Sequence, residues 1–180
     1  MAEKILVSGG AGYIGSHTVV ELLQHGFEVV IVDDLSNSSE AIIQQIAQIT
    51  GKESVFEKFN LCDKEKTRDF FQRHPDLSGA IHFAAHKAVG ESVHKPLKYY
   101  SNNLVSLFNI LECMDEKNIR NFVFSSSCTV YGEPDTLPVK ESNQIKPAIS
   151  PYGNTKQIAE EILLDVTKAS HLNCISLRYF

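Results

Sequence analysis

The chain has 180 residues and a formal net charge of -5, with 43% hydrophobic and 22% charged residues. This composition is that of one ordinary globular domain and excludes a disordered or collagen-like chain. Lysine and arginine form no basic block and no apolar run reaches the ~20 residues that cross a bilayer, so neither nucleic acid nor a membrane is an expected partner.

Short apolar runs alternate with longer amphipathic segments from one end of the chain to the other. This alternation predicts a parallel sheet covered on both faces, and right-handed crossovers then give an α/β fold with a doubly wound, Rossmann-type sheet that stops after its sixth strand. In chain order the predicted elements are strand 4–8, helix 14–25, strand 28–33, helix 41–49, strand 54–59, helix 64–73, strand 80–83, helix 97–117, strand 121–125, a long irregular loop 131–150, helix 152–169 and strand 174–179.

Three glycines stand between the first strand and the first helix, with the spacing GxxGxxG. Gly9 permits a tight turn, Gly12 lets the backbone approach a pyrophosphate, and Gly15 allows the helix to pack closely on the strand. The helix that starts near Ile14 offers free N–H groups and a positive dipole end to phosphates. Asp33 ends the second strand, where a carboxylate accepts from ribose hydroxyls and repels a 2′-phosphate. The pattern predicts a site for NAD rather than NADP; a tight turn without a ligand is the alternative.

A tyrosine and a lysine share one face at the start of the last predicted helix, Tyr152 and Lys156. Oxidation of a sugar hydroxyl needs a base, but a free tyrosine titrates near 10. We expect Lys156 and an oxidised nicotinamide ring to lower the tyrosine pKa by about three units, or roughly 4 kcal/mol. Ser127, after the fifth strand, can hydrogen-bond the same oxygen. The YxxxK spacing alone is equally compatible with a buried tyrosine beside a solvated lysine. The glycine turn upstream favours the catalytic interpretation.

Histidine and cysteine positions give no support for a metal or disulfide framework. His82 and His86 are four residues apart, but the end of a strand has no helical face to align them, so no metal is expected. Cys128 is expected to be a small space-filling residue beside the site. The cysteines are far apart and form no CxxC pair, which favours free thiols and a cytoplasmic location: Cys62, Cys113, Cys128 and Cys174.

Five segments of the sequence resemble the extended short-chain dehydrogenase/reductase family, and within it the UDP-hexose 4-epimerases. The resemblance implies an isomerase with NAD as a retained cofactor. It implies epimerisation at C4 of a UDP-hexose (UDP-galactose to UDP-glucose) through a 4-keto intermediate, in galactose metabolism. It also implies a homodimer formed through two helices of each subunit, expected at 97–117 and 152–169. The segments are GGAGYIGSHT (9–18), HFAAHKAVGESVHKPLKYYSNN (82–103), FSSSCTVYGE (124–133), SPYGNTK (150–156) and LRYF (177–180).

The resemblance also implies roles for particular residues. Ser127, Tyr152 and Lys156 are the implied catalytic set, and Thr129 joins Ser127 and Tyr152 on the substrate side. The residues implied around NAD are Gly9, Gly12, Tyr13, Ile14, Gly15, Asp33, Asn37, Ser38, Asn60, Leu61, Phe83, Ala84, Lys87, Asn102, Tyr152, Lys156 and Tyr179.

The chain departs from the family pattern at several positions. Asn60 stands where the family usually has an aspartate, and His86 and Cys128 replace residues that are commonly apolar or small. The family also continues past Phe180 into a smaller domain that binds the UDP-sugar. Residues 1–180 are therefore expected to form the NAD-binding domain alone, which should bind NAD and turn over poorly or not at all.

Two other functions remain open from the sequence. A nucleotide-sugar dehydratase of the same superfamily is disfavoured, because Cys128 and Thr129 stand where such enzymes place an acidic pair for proton transfer. A non-catalytic NAD-binding module is the second alternative. It is disfavoured by the presence of Tyr152 and Lys156, although the truncated chain could behave as such a module.

Overall fold

Six parallel strands form a single sheet in the computed structural model, which describes residues 2–180. The strand order is β3-β2-β1-β4-β5-β6. In chain order the elements are β1 (Lys4–Ser8), α1 (Tyr13–Gln24), β2 (Glu28–Asp33), α2 (Ala41–Thr50), β3 (Val55–Lys58), α3 (Lys64–Arg73), β4 (Leu77–His82), α4 (Val89–His94), α5 (Pro96–Glu116), β5 (Asn121–Ser127), a 3₁₀ turn (Cys128–Tyr131), α6 (Pro151–Ala169) and β6 (Asn173–Tyr179).

This strand order is that of the Rossmann fold, so the predicted fold class is confirmed. The chain reverses its direction of travel between β1 and β4, and in such sheets ligands bind where the carboxyl ends of the strands open at that point. The ladders pair Ser8 with His82 and Ser127 with Tyr179, and they place Asp33 at the end of β2. The fold therefore gathers these strand ends along one edge.

The central strands β1 and β2 are buried on both faces, which explains why they are almost continuously apolar, whereas β3 and β6 at the two sides of the sheet are more exposed. Successive residues of β1 point to opposite faces: Leu6 packs with Phe70 and Phe122 in the larger core, whereas Val7 packs with Ile31 in the smaller one. All five side chains are at most 1% exposed. The two cores fix the strands from both sides and so hold the edge that carries the strand ends.

Most predicted elements agree with the structure to within two residues, and the differences have local causes. β4 begins at Leu77, three residues before the predicted start, because Leu77 already pairs with Lys4 of β1. β5 continues to Ser127, two residues beyond the prediction. The helix α4 was not predicted, since its six residues bury only Ser92 and show no helical periodicity.

Residues 2–180 contain no candidate membrane-spanning helix, disulfide or metal-binding cluster. No helix within residues 2–180 has both the length and the apolar character that a membrane span requires. The four cysteines are all free thiols, and no group of three or more histidine, cysteine, aspartate or glutamate side chains in that range could hold a metal ion.

Candidate active site

The glycine turn between β1 and α1 has the geometry that its spacing predicts. Gly9 has a φ of 71°, and a Cβ there would lie 2.7 Å from the backbone nitrogen of Ala84. A Cβ on Gly15 would lie 2.2 Å from the Gly9 carbonyl oxygen, so helix and turn are in direct backbone contact. A Cβ on Gly12 would meet only that same oxygen, at 3.2 Å. Gly9 and Gly15 are thus required by packing, and a Cβ at Gly12 would be tight against one backbone oxygen.

The N-terminus of α1 is left without any side-chain cap. Gly12 occupies the N-cap position, and no acidic residue lies in the first turn. The helices α3 and α6 have Asp63 and Ser150 as capping side chains, whereas α2, α4 and α5, like α1, have none. The first N–H groups of a helix need acceptors, and the positive dipole end favours an anion. The start of α1, next to the exposed Tyr13 and Ile14, therefore fits a pyrophosphate.

The carboxylate of Asp33 holds the two loops of the predicted ribose site together. Its Oδ1 accepts from the backbone N–H of Leu35 and the hydroxyl of Ser38, both at 2.9 Å. Its Oδ2 accepts from the N–H of Ala11 in the glycine turn at 3.1 Å. A carboxylate oxygen has two lone pairs, so Oδ2 retains one for a ribose hydroxyl. Asn37 lies exposed in the same loop.

Asn60 and Leu61 follow β3, and the side chain of Asn60 is already occupied. Its Nδ2 donates to Asp34 at 3.0 Å, and its Oδ1 accepts from the N–H of Cys62 at 2.8 Å. An aspartate could not donate to a second carboxylate, so asparagine suits this position and the departure from the family pattern has a local reason. Leu61 is 4% exposed, and its carbonyl accepts from Asn109 at 2.7 Å.

The residues after β4 meet the glycine turn from the other side. The N–H of Phe83 donates to the Ser8 carbonyl at 3.0 Å, and Ala84 lies against Gly9. Lys87 is exposed three residues further on. Asn102 lies on α5, half-buried, and donates to Asn103 at 3.1 Å. Contact of these four residues with NAD stays a prediction.

Three predicted catalytic side chains lie together beyond the end of β5. Lys156 is 4% exposed, and its Nζ donates to the Ser125 carbonyl at 2.7 Å and lies 6.0 Å from the centroid of the Tyr152 ring. Burial lowers the pKa of Lys156 to about 8. Ser127 is 9% exposed, its Oγ accepts from the N–H of Thr129 at 3.3 Å, and its hydroxyl lowers the pKa of Tyr152. Tyr179, paired with Ser127 in the next strand, is exposed at 37%.

In the protein without NAD the pKa of Tyr152 is raised, whereas the predicted lowering by Lys156 and an oxidised nicotinamide ring concerns the NAD-bound state and stays a prediction. Burial of the phenol is the largest influence and raises the pKa above its ordinary value, while the hydrogen bond with Ser127 lowers it and the nearby Cys128 raises it. The ammonium of Lys156 is bound to a carbonyl 31 residues away in sequence instead of to the phenol oxygen. The effect of burial on the pKa of Tyr152 is therefore larger than any effect of Lys156.

Two buried polar residues that the sequence analysis missed hold this site in place. Ser92, fully buried in α4, accepts the N–H of Tyr152 at 3.2 Å. Asn103 in α5 accepts from the N–H of His86 at 2.8 Å, and donates to the carbonyl of the same residue at 3.0 Å and to Thr155 at 3.2 Å. A buried polar residue needs partners, but those partners are distant in sequence, so no local pattern could have identified them.

Thr129 is the one buried side chain left unsatisfied among residues 2–180. Its Oγ1 has no hydrogen-bond partner, although the residue lies in the 3₁₀ turn directly after Ser127. An unpaired buried hydroxyl costs about 1–3 kcal/mol. Contact of Thr129 with a substrate stays a prediction.

His82 is a core histidine and is not paired with His86. Its Nδ1 is hydrogen-bonded to the Ser8 hydroxyl at 2.6 Å, and its ring is stacked with those of Phe122 and Phe124, each with its centroid at 6.2 Å. Burial, with a further contribution from Lys156, lowers the pKa of His82 to about 3. The ring is therefore neutral at pH 7.

Acid should destabilise the fold through His82. The unfolded chain binds a proton near pH 6.5, whereas the folded chain does so only near 3, so stability is lost as pH falls through that window. Between about pH 7.5 and pH 5 the loss at this site is roughly 2 kcal/mol. Urea unfolding should show that His82→Gln removes most of this dependence. His25→Gln, at an exposed histidine, should not; equal pH dependence in His82→Gln and wild type would contradict the prediction.

The chain matches a known protein family along nearly its whole length. A family model matches residues 5–180, nearly the whole chain. The chain belongs to the NAD dependent epimerase/dehydratase family. The family is NAD-dependent, as the glycine turn and Asp33 predict, and the resemblance seen in the motifs is confirmed.

Within the NAD dependent epimerase/dehydratase family, the chain is similar to several UDP-glucose 4-epimerases. The chain is 49% identical over 98% of its length to the UDP-glucose 4-epimerase of Schizosaccharomyces pombe, and covers 50% of that protein. It is 48% identical over 98% of its length to the Bacillus subtilis UDP-glucose 4-epimerase, covering 52% of it. The crystal structure of the Bifidobacterium longum UDP-glucose 4-epimerase with NAD+ and UDP superposes with a TM-score of 0.96 at 42% identity, over 98% of this chain and 53% of that one. The chain thus spans about half the length of these family members.

Proposed function

We propose that this chain is the NAD-binding half of a UDP-glucose 4-epimerase, which interconverts UDP-galactose and UDP-glucose in galactose metabolism. The observation that carries the proposal is the group of Ser127, Tyr152 and Lys156 at the carboxyl ends of the strands. The glycine turn and the uncapped start of α1 lie along the same edge of the sheet. Similarity to UDP-glucose 4-epimerases over 98% of the chain supports it. The four free thiols agree with a cytoplasmic location.

NAD fits the residues at this edge. The first N–H groups of α1 would bind the pyrophosphate, and Asp33, with one free lone pair, would accept from the adenosine ribose. The carboxylate would repel a 2′-phosphate, which favours NAD over NADP. When bound, NAD supplies the hydride acceptor.

In the proposed reaction Tyr152 takes the proton of the sugar 4-hydroxyl as C4 gives up a hydride. The C4–H bond breaks, a C4 carbonyl forms, and the sugar then presents its other face for the hydride to return while Tyr152 gives the proton back. In this reaction Ser127 would donate to the same oxygen. The cycle is redox-neutral and needs no external oxidant. Because burial raises the pKa of Tyr152, the positive charge of Lys156 is needed to favour the phenolate.

The test joins this chain to a known enzyme. A chimera would carry residues 1–180 in place of the corresponding half of the Bacillus subtilis UDP-glucose 4-epimerase, and proton NMR would follow UDP-galactose. Appearance of UDP-glucose is the expected result, and the unmodified chain should bind NAD in calorimetry. A 4-keto-6-deoxy product would favour a dehydratase instead. NAD binding without turnover, while the parent enzyme is active, would favour a non-catalytic module.

We also propose a homodimer formed through α5 and α6. Leu97 and Phe108 lie on one face of α5, three turns apart, and are 80% and 42% exposed, and Leu164 on α6 is 57% exposed. Solvent exposure of large apolar side chains on neighbouring helices is typical of a surface that a partner covers.

Phe108→Glu should weaken this dimer about 30-fold or more, which corresponds to a loss of ~2 kcal/mol at an interface hot spot. Sedimentation equilibrium of the NAD-loaded chimera would measure the dissociation constant. Leu137→Glu is the control, because Leu137 is 82% exposed and belongs to the long loop instead of to either helix. A Phe108→Glu chimera that dimerises as tightly as its parent would exclude this face.

A further inference from the structure

An ion pair between α6 and β6 takes no part in the proposed reaction. The Arg178 guanidinium donates to both carboxylate oxygens of Glu160, from Nε to Oε1 at 3.0 Å and from Nη2 to Oε2 at 2.6 Å. The side chains are 21% and 12% exposed. The Ser126 hydroxyl donates to Oε1 as well. Such two-pronged pairing fixes the geometry of both partners.

The same arginine reaches the turn that follows Ser127. Its Nη1 donates to the Tyr131 hydroxyl at 2.8 Å, and its guanidinium carbon lies 4.9 Å from the centroid of the Tyr131 ring. Tyr131 closes the 3₁₀ turn (Cys128–Tyr131) and is buried. Arg178 therefore joins the helix that carries Tyr152 to the turn that begins after Ser127.

Glu160 is also tied to the buried lysine of the site. It lies four residues after Lys156, so both face the same side of α6. Lys156 donates to the Ser125 carbonyl at 2.7 Å, and Glu160 accepts from the hydroxyl of the next residue, Ser126. Two successive residues of β5 thus hold two successive turns of α6.

We propose that Glu160, held by Arg178 and Ser126, is a positioning residue that seats Lys156 on β5 and supplies the negative charge its buried ammonium needs. The inference deepens the proposed function, because it rests on the role of Lys156 there. Glu160, Arg178 and Ser126 would then support the side chains that contact the sugar and NAD without contacting either ligand themselves.

The charges around Lys156 support this role. Burial is the main influence and lowers the pKa of Lys156, and Glu160 opposes it. His82 on β4 is neutral because its own pKa lies near 3, Tyr152 on the same helix has a raised pKa, and Arg178 on β6 has its charge bound to the Glu160 carboxylate. Glu160 is therefore the negative charge that favours the ammonium.

The test measures the protonation of Lys156 directly in the unmodified chain. Lysine labelled with ¹³C at Cε would be followed by NMR over pH, with the Lys156 signal assigned by its loss in Lys156→Arg. Glu160→Gln should lower the titration midpoint of Lys156 by about one pH unit. Glu161→Gln, at the exposed neighbouring position, should leave it unchanged. An unchanged midpoint in Glu160→Gln would overturn the inference.

A second variant separates charge from shape. Glutamine keeps the length of glutamate without its charge, whereas Glu160→Asp keeps the charge on a shorter side chain. The midpoint should stay within about half a unit of wild type in Glu160→Asp; if it falls as far as in Glu160→Gln, the residue acts only through packing and the charge role is wrong. If Glu160→Gln does not fold, the double variant Glu160→Gln/Arg178→Met leaves no unpaired buried charge and should show the same fall.

The pH dependence of kcat in the chimera tests the role of Glu160 independently. In the chimera, Glu160→Gln should move the alkaline limb of the kcat profile downward by about one pH unit, and Glu160→Asp should restore it. The NMR titration needs no turnover, so an inactive chimera would count against the proposed function alone. An active chimera whose alkaline limb does not move in Glu160→Gln would count against the inference alone.

Discussion

Replacing Tyr152 with phenylalanine should lower kcat of the chimera by about 10²–10⁴-fold, the usual contribution of a positioned proton-transfer group. Phenylalanine keeps the ring but cannot accept the proton of the sugar hydroxyl. The backbone N–H that Tyr152 donates to Ser92 is unaffected, so the start of α6 should stay in place. NAD affinity should therefore change by less than about threefold, measured by calorimetry beside the rate of UDP-glucose formation.

The control for this variant is Tyr100→Phe. The Tyr100 hydroxyl accepts from Asn154 on α6 at 2.7 Å, so the substitution removes a phenol hydroxyl near the same helix without touching the proposed proton acceptor. It should keep kcat within about tenfold of the parent chimera. Loss of NAD binding together with activity in Tyr152→Phe would show that Tyr152 is structural, and equal losses in the two variants would remove its assignment as the base.

Gly15→Ala should be the most damaging single-methyl change in the chain. The added Cβ would lie 2.2 Å from the Gly9 oxygen and 2.9 Å from the Gly10 Cα, all of them backbone atoms that cannot rotate away. The start of α1 must then move off the turn, at a cost of about 1–3 kcal/mol or more in the free energy of unfolding. The displaced N–H groups should also lower NAD affinity at least tenfold, or ~1.4 kcal/mol. Urea unfolding and calorimetry measure the two effects.

Gly90→Ala supplies the matched control. A Cβ at Gly90 meets no atom within 4 Å, and the residue lies inside α4 with no positive φ. Alanine there should be neutral or stabilising by about 0.5–1 kcal/mol, because glycine is the poorer helix residue. If Gly15→Ala unfolded at the same urea concentration as Gly90→Ala, the close contact between α1 and the turn would be refuted.

The sheet could be predicted because its signals are local. Runs such as 28–33 are apolar on both faces and end in turn residues, and the glycine turn lies between a strand and a helix as its spacing requires. Asp33 could be placed for the same reason. The helix α4 could not, because six residues with one buried serine show no periodicity. Its importance comes from the hydrogen bond between Ser92 and Tyr152, 60 residues apart.

Electrostatics could be predicted only in part. The spacing of Tyr152 and Lys156 placed them on one face of α6, but it could not show that the ammonium is bound by the Ser125 carbonyl or that burial would dominate the phenol. The pairing of Glu160 with Arg178 likewise depends on β6 lying beside β5. Such terms depend on long-range packing, which a single sequence does not specify.

The acceptor for the Lys156 ammonium is a main-chain oxygen, that of Ser125. Every amino acid carries that oxygen, so the anchor does not depend on which side chain occupies position 125, and genetic drift there leaves it intact. The carboxylate of Glu160 has no such protection, since it belongs to one side chain. Substitutions at position 125 should accordingly be tolerated more readily than substitutions of Glu160.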